Sequence, residues 1–205
     1  MKKLLFLLFF FPVISGYSQN LDVRLLSTIN HNRNTHLDGT FKTISATASP
    51  FAFGTPVILY GIGIIKKDKD MKDKALYIGA TVITSTVITT ILKNTIKRTR
   101  PFITYPDPLQ YPYIQKETSG GGYSFPSGHT SDAFSLATSV TLAYPKWYII
   151  VPAYVWAGAV GYSRMDLGVH YPSDVLMGAV TGAGSAYLCY KGQQWLHKKK
   201  KKVIE

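Results

Sequence analysis

Apolar positions along this chain fall into blocks, and their spacing changes from one block to the next. Between residues 20 and 49 they recur three or four apart, at Leu21, Leu25 and Ile29, then Leu37, Phe41, Ile44 and Ala48, among polar neighbours. That period predicts two short amphipathic helices lying against a bilayer or a helical bundle. Five more uniformly apolar segments follow, at residues 51–65, 75–92, 127–144, 147–162 and 175–190. At about 15–18 residues each, they predict helices of about 23–27 Å, at or just under the ~30 Å hydrocarbon thickness of a bilayer. The second and third are rich in hydroxyls, including Thr81, Thr84, Ser85, Thr89, Ser131, Ser135 and Ser139. In lipid such groups bond the backbone one turn back or a neighbouring helix, and a soluble helical core tolerates them too. The pattern predicts an all-α protein: a membrane helical bundle of about five transmembrane helices behind short N-terminal amphipathic helices.

The ends and the longest interval carry their own signals. Lys2-Lys3 followed by the apolar run 4–14 reads as a secretory signal, too short to span comfortably. Gly16 and Ser18 suit a cut before Gln19, so residues 1–18 are a signal peptide and 19–205 a single domain, with a basic tail from about residue 191. An uncleaved anchor or re-entrant helix is the rival reading. Residues 102–123 form the longest interval, with Pro106, Pro108, Pro112 and Gly120-Gly121-Gly122. A connection of that length is either a lid or headgroup-selecting loop or a passive external one.

Composition refines this picture. The net charge is +12, which on its own suits nucleic acid. The lysines, however, gather between apolar segments and at the C-terminus, as on the cytoplasmic face of a membrane protein, and no nucleic-acid partner is expected. The mean hydropathy is only +0.05, because polar intervals dilute the apolar blocks. One cysteine, Cys189, forms no internal disulfide. With the mature N-terminus outside, five crossings place the lysine-rich interval 66–74, the turn 144–148 and the tail inside. The same count places Lys93, Arg100, Ser127, His129, Arg164 and His170 together at the outer face.

Those residues form three ordered motifs. Lys93 and Arg100-Pro101 read K-x6-R-P; Pro126-Ser127-Gly128-His129 reads P-S-G-H; Ser163-Arg164, His170 and Asp174 read S-R-x5-H-x3-D. His170 and Asp174 are four apart, so on a helix they share a face, and the carboxylate can hold one imidazole nitrogen while the other attacks. Arg164 offers a planar fork of donors suited to phosphate oxygens. The P-S-G-H stretch opens a helix whose free amides point at an anion, with proline suited to the first turn. Lys97 and Arg98 fall outside the motifs and read as headgroup-facing charges. His31 and His36 read as solvated loop histidines. Asp132 is a candidate support for His129, and Asp166 reads as a loop carboxylate that could pair with Arg164.

Together the motifs resemble the signature of the type 2 phosphatidic acid phosphatase superfamily, which includes membrane lipid phosphatases, class A acid phosphatases and vanadium haloperoxidases. All three motifs match without a substitution, and the resemblance covers roughly residues 93–174. The resemblance implies that Lys93, Arg100, Ser127, Gly128 and Arg164 bind phosphate, that His129 is the general acid, and that His170, oriented by Asp174, is the nucleophile. No other cluster has metal-ligand spacing, so catalysis without a metal or other cofactor is expected. The expected function is hydrolysis of lipid phosphates or diphosphates through a phosphohistidine, at the bacterial inner membrane with the site facing the periplasm. Phosphatidate, phosphatidylglycerophosphate, undecaprenyl diphosphate and lipid A all fit. A soluble periplasmic acid phosphatase is the main alternative; a vanadate-dependent peroxidase and a non-catalytic membrane scaffold are further ones.

Overall fold

A computed structural model describes residues 21–31, 33–105 and 122–204, with side chains as far as Leu196. The expected signal segment, most of the 102–123 interval and the terminal lysine side chains lie outside the described residues. Everything regular within them is helical. Helix α1 spans residues 21–31. After a 3-10 turn at Thr35–Leu37 come α2 (Asp38–Ala46), α3 (Ala48–Ile65), α4 (Lys69–Ile96) and α5 (Pro101–Thr104), then α6 (Gly128–Ala143), α7 (Trp147–Asp166) and α8 (Pro172–Ile204).

Two boundaries depart from the sequence pattern. The interval 66–74 is not one loop: Asp68 caps α4 by accepting from the amide of Met71 at 3.0 Å, so Lys69 to Lys74 form its first turns. An ion pair between Lys74 and Asp70, 2.6 Å apart, spans one turn of that helix. The turn itself shrinks to residues 66–68. Lys67 there has φ 54°, and the Asp68 amide returns to the carbonyl of Gly63 at 2.9 Å. Helix α7 runs on to Asp166, so Arg164 and Asp166 stand in its last turn rather than in a loop. Apolar periodicity fades at a helix end before the backbone hydrogen bonds do, which is why it misplaced both.

Buried polar side chains share the interior with apolar clusters around Ala137 and Ile78, while large apolar side chains remain outside. Ser85, Thr89 and Ser131 are buried and bonded to one another, at 2.6 Å between Ser85 and Ser131 and 2.9 Å between Thr89 and Ser131. Ser135 and Ser139, also buried, donate to carbonyls of their own helix. By contrast Val57, Ile58 and Ile65 on α3, Ile83 on α4, Val155 on α7 and Leu176 on α8 are all more than 60% exposed. So many exposed large apolar side chains depart from the surface of a water-soluble helical protein, where the hydrophobic effect draws such groups inward. Two stretches, Thr35–Ile65 and Lys69–Thr104, are long and apolar enough to cross a membrane.

Helices α6 and α8 approach most closely. A Cβ on Gly178 would lie 2.6 Å from the Ser127 carbonyl oxygen, and one on Gly182 only 2.4 Å from that of Ser131. Glycines four apart thus make a flat seam along which two backbones touch. Asp174 lies four residues before Gly178 on the same face, and its carbonyl accepts from the Ser127 amide at 2.9 Å. The seam therefore fixes the two motif-bearing helix starts against each other.

Candidate active site

Each candidate side chain is aimed by local backbone chemistry. Helix α4 ends at Lys97, whose left-handed φ of 52° lets its amide close on the Lys93 carbonyl at 3.0 Å. Arg100 precedes a proline and is held extended, while Pro101 takes the first position of α5, where a missing N–H costs nothing. The Arg100 side chain is thereby turned inward, 6% exposed, with Nη1 donating to the Val169 carbonyl at 3.4 Å. Lys93, on the last turn of α4, donates to the Tyr123 carbonyl at 2.8 Å. Its Cε lies 3.9 Å from where a Cβ on Gly128 would be.

The P-S-G-H segment does begin a helix, but one step later than its proline suggests. Ser127 is the extended N-cap and α6 starts at Gly128, so Pro126 stands before the cap. The Ser127 hydroxyl makes no capping bond and instead accepts from the Thr130 hydroxyl at 2.9 Å. The first amides of α6, beyond the one at the cap, have no acceptor within the helix and form an anion-binding end.

His170 is not on a helix. Gly168, with φ 68°, reverses the chain after α7, and the amides of Val169 and His170 both return to the Arg164 carbonyl at 3.2 Å. Asp174 is the third residue of α8, and its Oδ2 reaches back to the Tyr171 amide at 2.9 Å, half of a capping box. The pair meets through this cap rather than across one helical turn: Nδ1 of His170 is 3.5 Å from Oδ2 of Asp174. Nδ1 thus faces the carboxylate, which leaves Nε2 as the nitrogen available for reaction.

Burial pushes His170 down to about 3, with Asp174 opposing the shift and the charges of Arg164 and Arg100 adding to it. At Asp174 burial works upward, but the contact with His170, the Arg98 charge and the Tyr171 amide hold it below the usual carboxylate range. The resting pair is a neutral imidazole beside an ionised carboxylate, as a nucleophile and its orienting group require. The charges of Lys93, Arg100 and Arg164 reach His129, and those of Arg100 and Arg164 reach Lys93, so the three motifs share one electropositive cluster. Arg164, 6% exposed, is held from behind by the Ser45 hydroxyl. Lys93, Arg100, Ser127, Gly128, His129, Arg164, His170 and Asp174 are therefore gathered at one end of the bundle.

Arg98 corrects the sequence reading. It does not face headgroups: Nη1 donates to Asp174 Oδ1 at 2.8 Å and Nη2 to Asp22 Oδ2 at 2.8 Å. Ser124, which donates to Asp174 Oδ2 at 2.8 Å, was also not singled out. Neither residue lies at a motif position, and Asp22 is 76 residues from Arg98, so no local spacing signals the contact. Asp132 accepts from Ser49 at 2.7 Å, a bond to α3 rather than a support for His129. Asp166 is buried, with Arg33 and Asp38 as its charged neighbours. His31 and His36 are exposed. Among the described residues, no group of three or more His, Cys, Asp or Glu side chains could hold a metal ion.

Comparison with known proteins places this arrangement among relatives. The family model of the PAP2 superfamily matches residues 74–198. A lipid A 4'-phosphatase of Bacteroides thetaiotaomicron is 36% identical over 78 residues, which is 38% of this chain and 35% of that one. The match thus spans about a third of that relative's length. A lipid A 4'-phosphatase of Porphyromonas gingivalis is 28% identical over 179 residues, covering 85% of this chain and 74% of that protein. The crystal structure of a transmembrane PAP2-type phosphatidylglycerolphosphate phosphatase from Bacillus subtilis superposes with a TM-score of 0.68 at 25% identity, covering 87% of each chain.

Proposed function

The chain belongs to the PAP2 superfamily, and on that premise we propose that it is a membrane phosphatase hydrolysing lipid phosphate monoesters or diphosphates. The observation that carries the proposal is the cluster of Lys93, Arg100 and Arg164 around two histidines, at the end of a bundle with large apolar side chains on its outside. A phosphate headgroup binds such a cluster while its acyl chains remain in lipid. The exposed apolar side chains also disfavour the soluble acid phosphatase, which has to present a wettable surface.

In this reading Lys93, Arg100, Arg164 and the α6 amides hold the equatorial oxygens, where transfer of a phosphoryl group draws most of its stabilisation. Nε2 of His170 forms a bond to phosphorus as the bond to the lipid oxygen breaks in line. His129 gives its proton to that oxygen, and Asp174 faces the positive charge developing on the imidazole. Water then attacks the phosphohistidine, passing a proton to His129 as the P–N bond breaks, and phosphate leaves.

Helices α3, α4, α6, α7 and α8 are the five crossings. The lysines at residues 66–74 and in the tail lie on the cytoplasmic side of a bacterial inner membrane, and the cluster faces the periplasm. The lipid A 4'-phosphatases among the relatives make lipid A the first substrate to test. Phosphate release from lipid A, phosphatidylglycerophosphate, undecaprenyl diphosphate and phosphatidate, measured on the purified protein in detergent, tests the proposal. Release from at least one of them, lost in His170→Asn, is expected. No release from any lipid, with turnover of water-soluble esters alone, contradicts it.

A further inference from the structure

Asp174 is fully buried, and a buried carboxylate stays ionised only beside a compensating charge or strong donors. Lys93 and Arg100 also act on it, but from a distance: their hydrogen bonds go to the carbonyls of Tyr123 and Val169. His170 supplies no charge while it is neutral, and Tyr171 and Ser124 supply neutral donors. The cation in direct contact is Arg98, from the extended stretch after α4. Both terminal nitrogens of its guanidinium and one of its faces are engaged. Nη1 bonds Asp174 Oδ1 at 2.8 Å and the Ser173 hydroxyl at 2.7 Å, Nη2 bonds Asp22 at 2.8 Å, and the plane lies 3.9 Å over the Tyr171 ring.

Asp22 comes from α1, which lies along the turn that carries His170. Its buried face is Asp22, Leu26 and Asn30, four apart. Asp22 Oδ1 accepts from the Ser173 amide at 2.9 Å, Leu26 packs on Tyr171, and Asn30 donates to the Met165 carbonyl at 2.7 Å. One helix thus grips the chain on both sides of His170.

We propose that Arg98, backed by Asp22, is a positioning residue for the nucleophile: it fixes the Asp174 carboxylate and keeps it ionised, while Asp22 offsets the guanidinium charge. Attack on phosphorus turns His170 into a cation. A lone Arg98 beside Asp174 would cancel the negative charge that this cation needs. With Asp22 attached, the chain of three keeps one net negative charge facing the imidazole. The inference rests on His170 being the nucleophile, as proposed above.

The test is steady-state kinetics as a function of pH on full-length protein in detergent, with p-nitrophenyl phosphate and a lipid phosphate. Arg98→Gln is expected to lower kcat by about 10–100-fold, the usual size of a lost orienting partner. KM should hardly change, because Arg98 does not touch substrate. Its acid limb in kcat should move to higher pH, since Asp174 then takes a proton more readily; ionisation of the substrate is common to all variants and drops out of the comparison. Arg98→Lys should return the limb towards wild type. Asp22→Asn should lower kcat on its own and add nothing to Arg98→Gln, the non-additivity of residues acting through one contact. An unmoved acid limb in Arg98→Gln, or a raised KM at constant kcat, overturns the inference. If Arg98→Gln does not fold, Asp22→Asn decides: a kcat loss at constant KM supports it, and an unchanged kcat overturns it. His170→Asn, run alongside, keeps the two proposals apart. Turnover surviving in that variant brings down the nucleophile and with it this inference. Turnover lost there, with Arg98→Gln unaffected, brings down the inference alone.

Discussion

His170 Nδ1 stands 3.5 Å from Asp174 Oδ2, with side chains 2% and 0% exposed. That is longer than a hydrogen bond, and the carboxylate is already held by the Tyr171 amide and the Ser124 hydroxyl. The orienting group is therefore in place before the imidazole uses it. Closing the gap takes a few tenths of an ångström of histidine movement, the kind of tightening that accompanies substrate binding.

The two histidines should fail differently. His170→Ala removes the nucleophile, so all substrates are lost together. His129→Ala removes only the proton for the leaving group, an effect of about 10²–10⁴-fold where that group is poor. A p-nitrophenolate leaves unaided, so His129→Ala should retain far more of the wild-type rate on p-nitrophenyl phosphate than on a lipid alkyl phosphate. Equal loss on both substrates assigns His129 to phosphate binding instead. Membrane yields of the variants must be matched first.

Acid should destabilise the fold partly through His170. Its folded value is about 3, against about 6.5 when unfolded. Between those values the unfolded chain binds a proton that the folded chain refuses, so stability falls as pH drops through this window. Asp174 is also shifted down, so it too loses stability in acid, but only as pH falls below the ordinary carboxylate value, outside the range from pH 7 to 4. Melting temperatures in detergent from pH 7 to 4 should therefore decline less for His170→Asn than for the wild type. Parallel declines would mean that His170 accepts a proton in place.

The glycine seam gives a pair of contrasting substitutions. At Gly182 a methyl group meets backbone atoms at 2.4 and 2.7 Å, whereas at Gly184 it meets nothing within 4 Å. Gly182→Ala should destabilise by about 1–3 kcal/mol through overpacking and lower activity by moving Asp174 away from Ser127. Gly184→Ala should stabilise by about 0.5–1 kcal/mol through helix propensity alone. Thermal unfolding in detergent and phosphate release measure both.

How far the sequence reached is clearest at particular residues. Lys93, Arg100, Ser127, His129, Arg164, His170 and Asp174 were legible because each sits at a fixed spacing within a short motif, and five apolar blocks implied helices able to bring the motifs together. The helical-face argument for His170 and Asp174 found the right partners for the wrong reason: a glycine turn and a helix cap join them. Arg98 and Asp22 were illegible, because a charge in a basic run and one at a helix start look solvated until distant segments meet. The buried hydroxyls were visible, but their network depends on which faces of α4 and α6 meet, and no periodicity specifies that.

Membrane orientation is open to direct measurement. Asp70 and Lys97 are both exposed and stand near opposite ends of α4. Cysteines at these positions, in a Cys189→Ser background, should react differently with an impermeant thiol reagent in spheroplasts. Labelling at residue 97 and protection at residue 70 are expected; the reverse pattern inverts the proposed topology.

The central claim is a covalent phosphohistidine, and the stereochemistry at phosphorus tests it most directly. A thiophosphate ester made chiral with one oxygen isotope is hydrolysed in water carrying another, and the configuration of the released thiophosphate is determined. Attack by His170 followed by attack by water inverts phosphorus twice, so net retention is predicted. Net inversion means that water attacks the ester in a single step, and it would contradict the account.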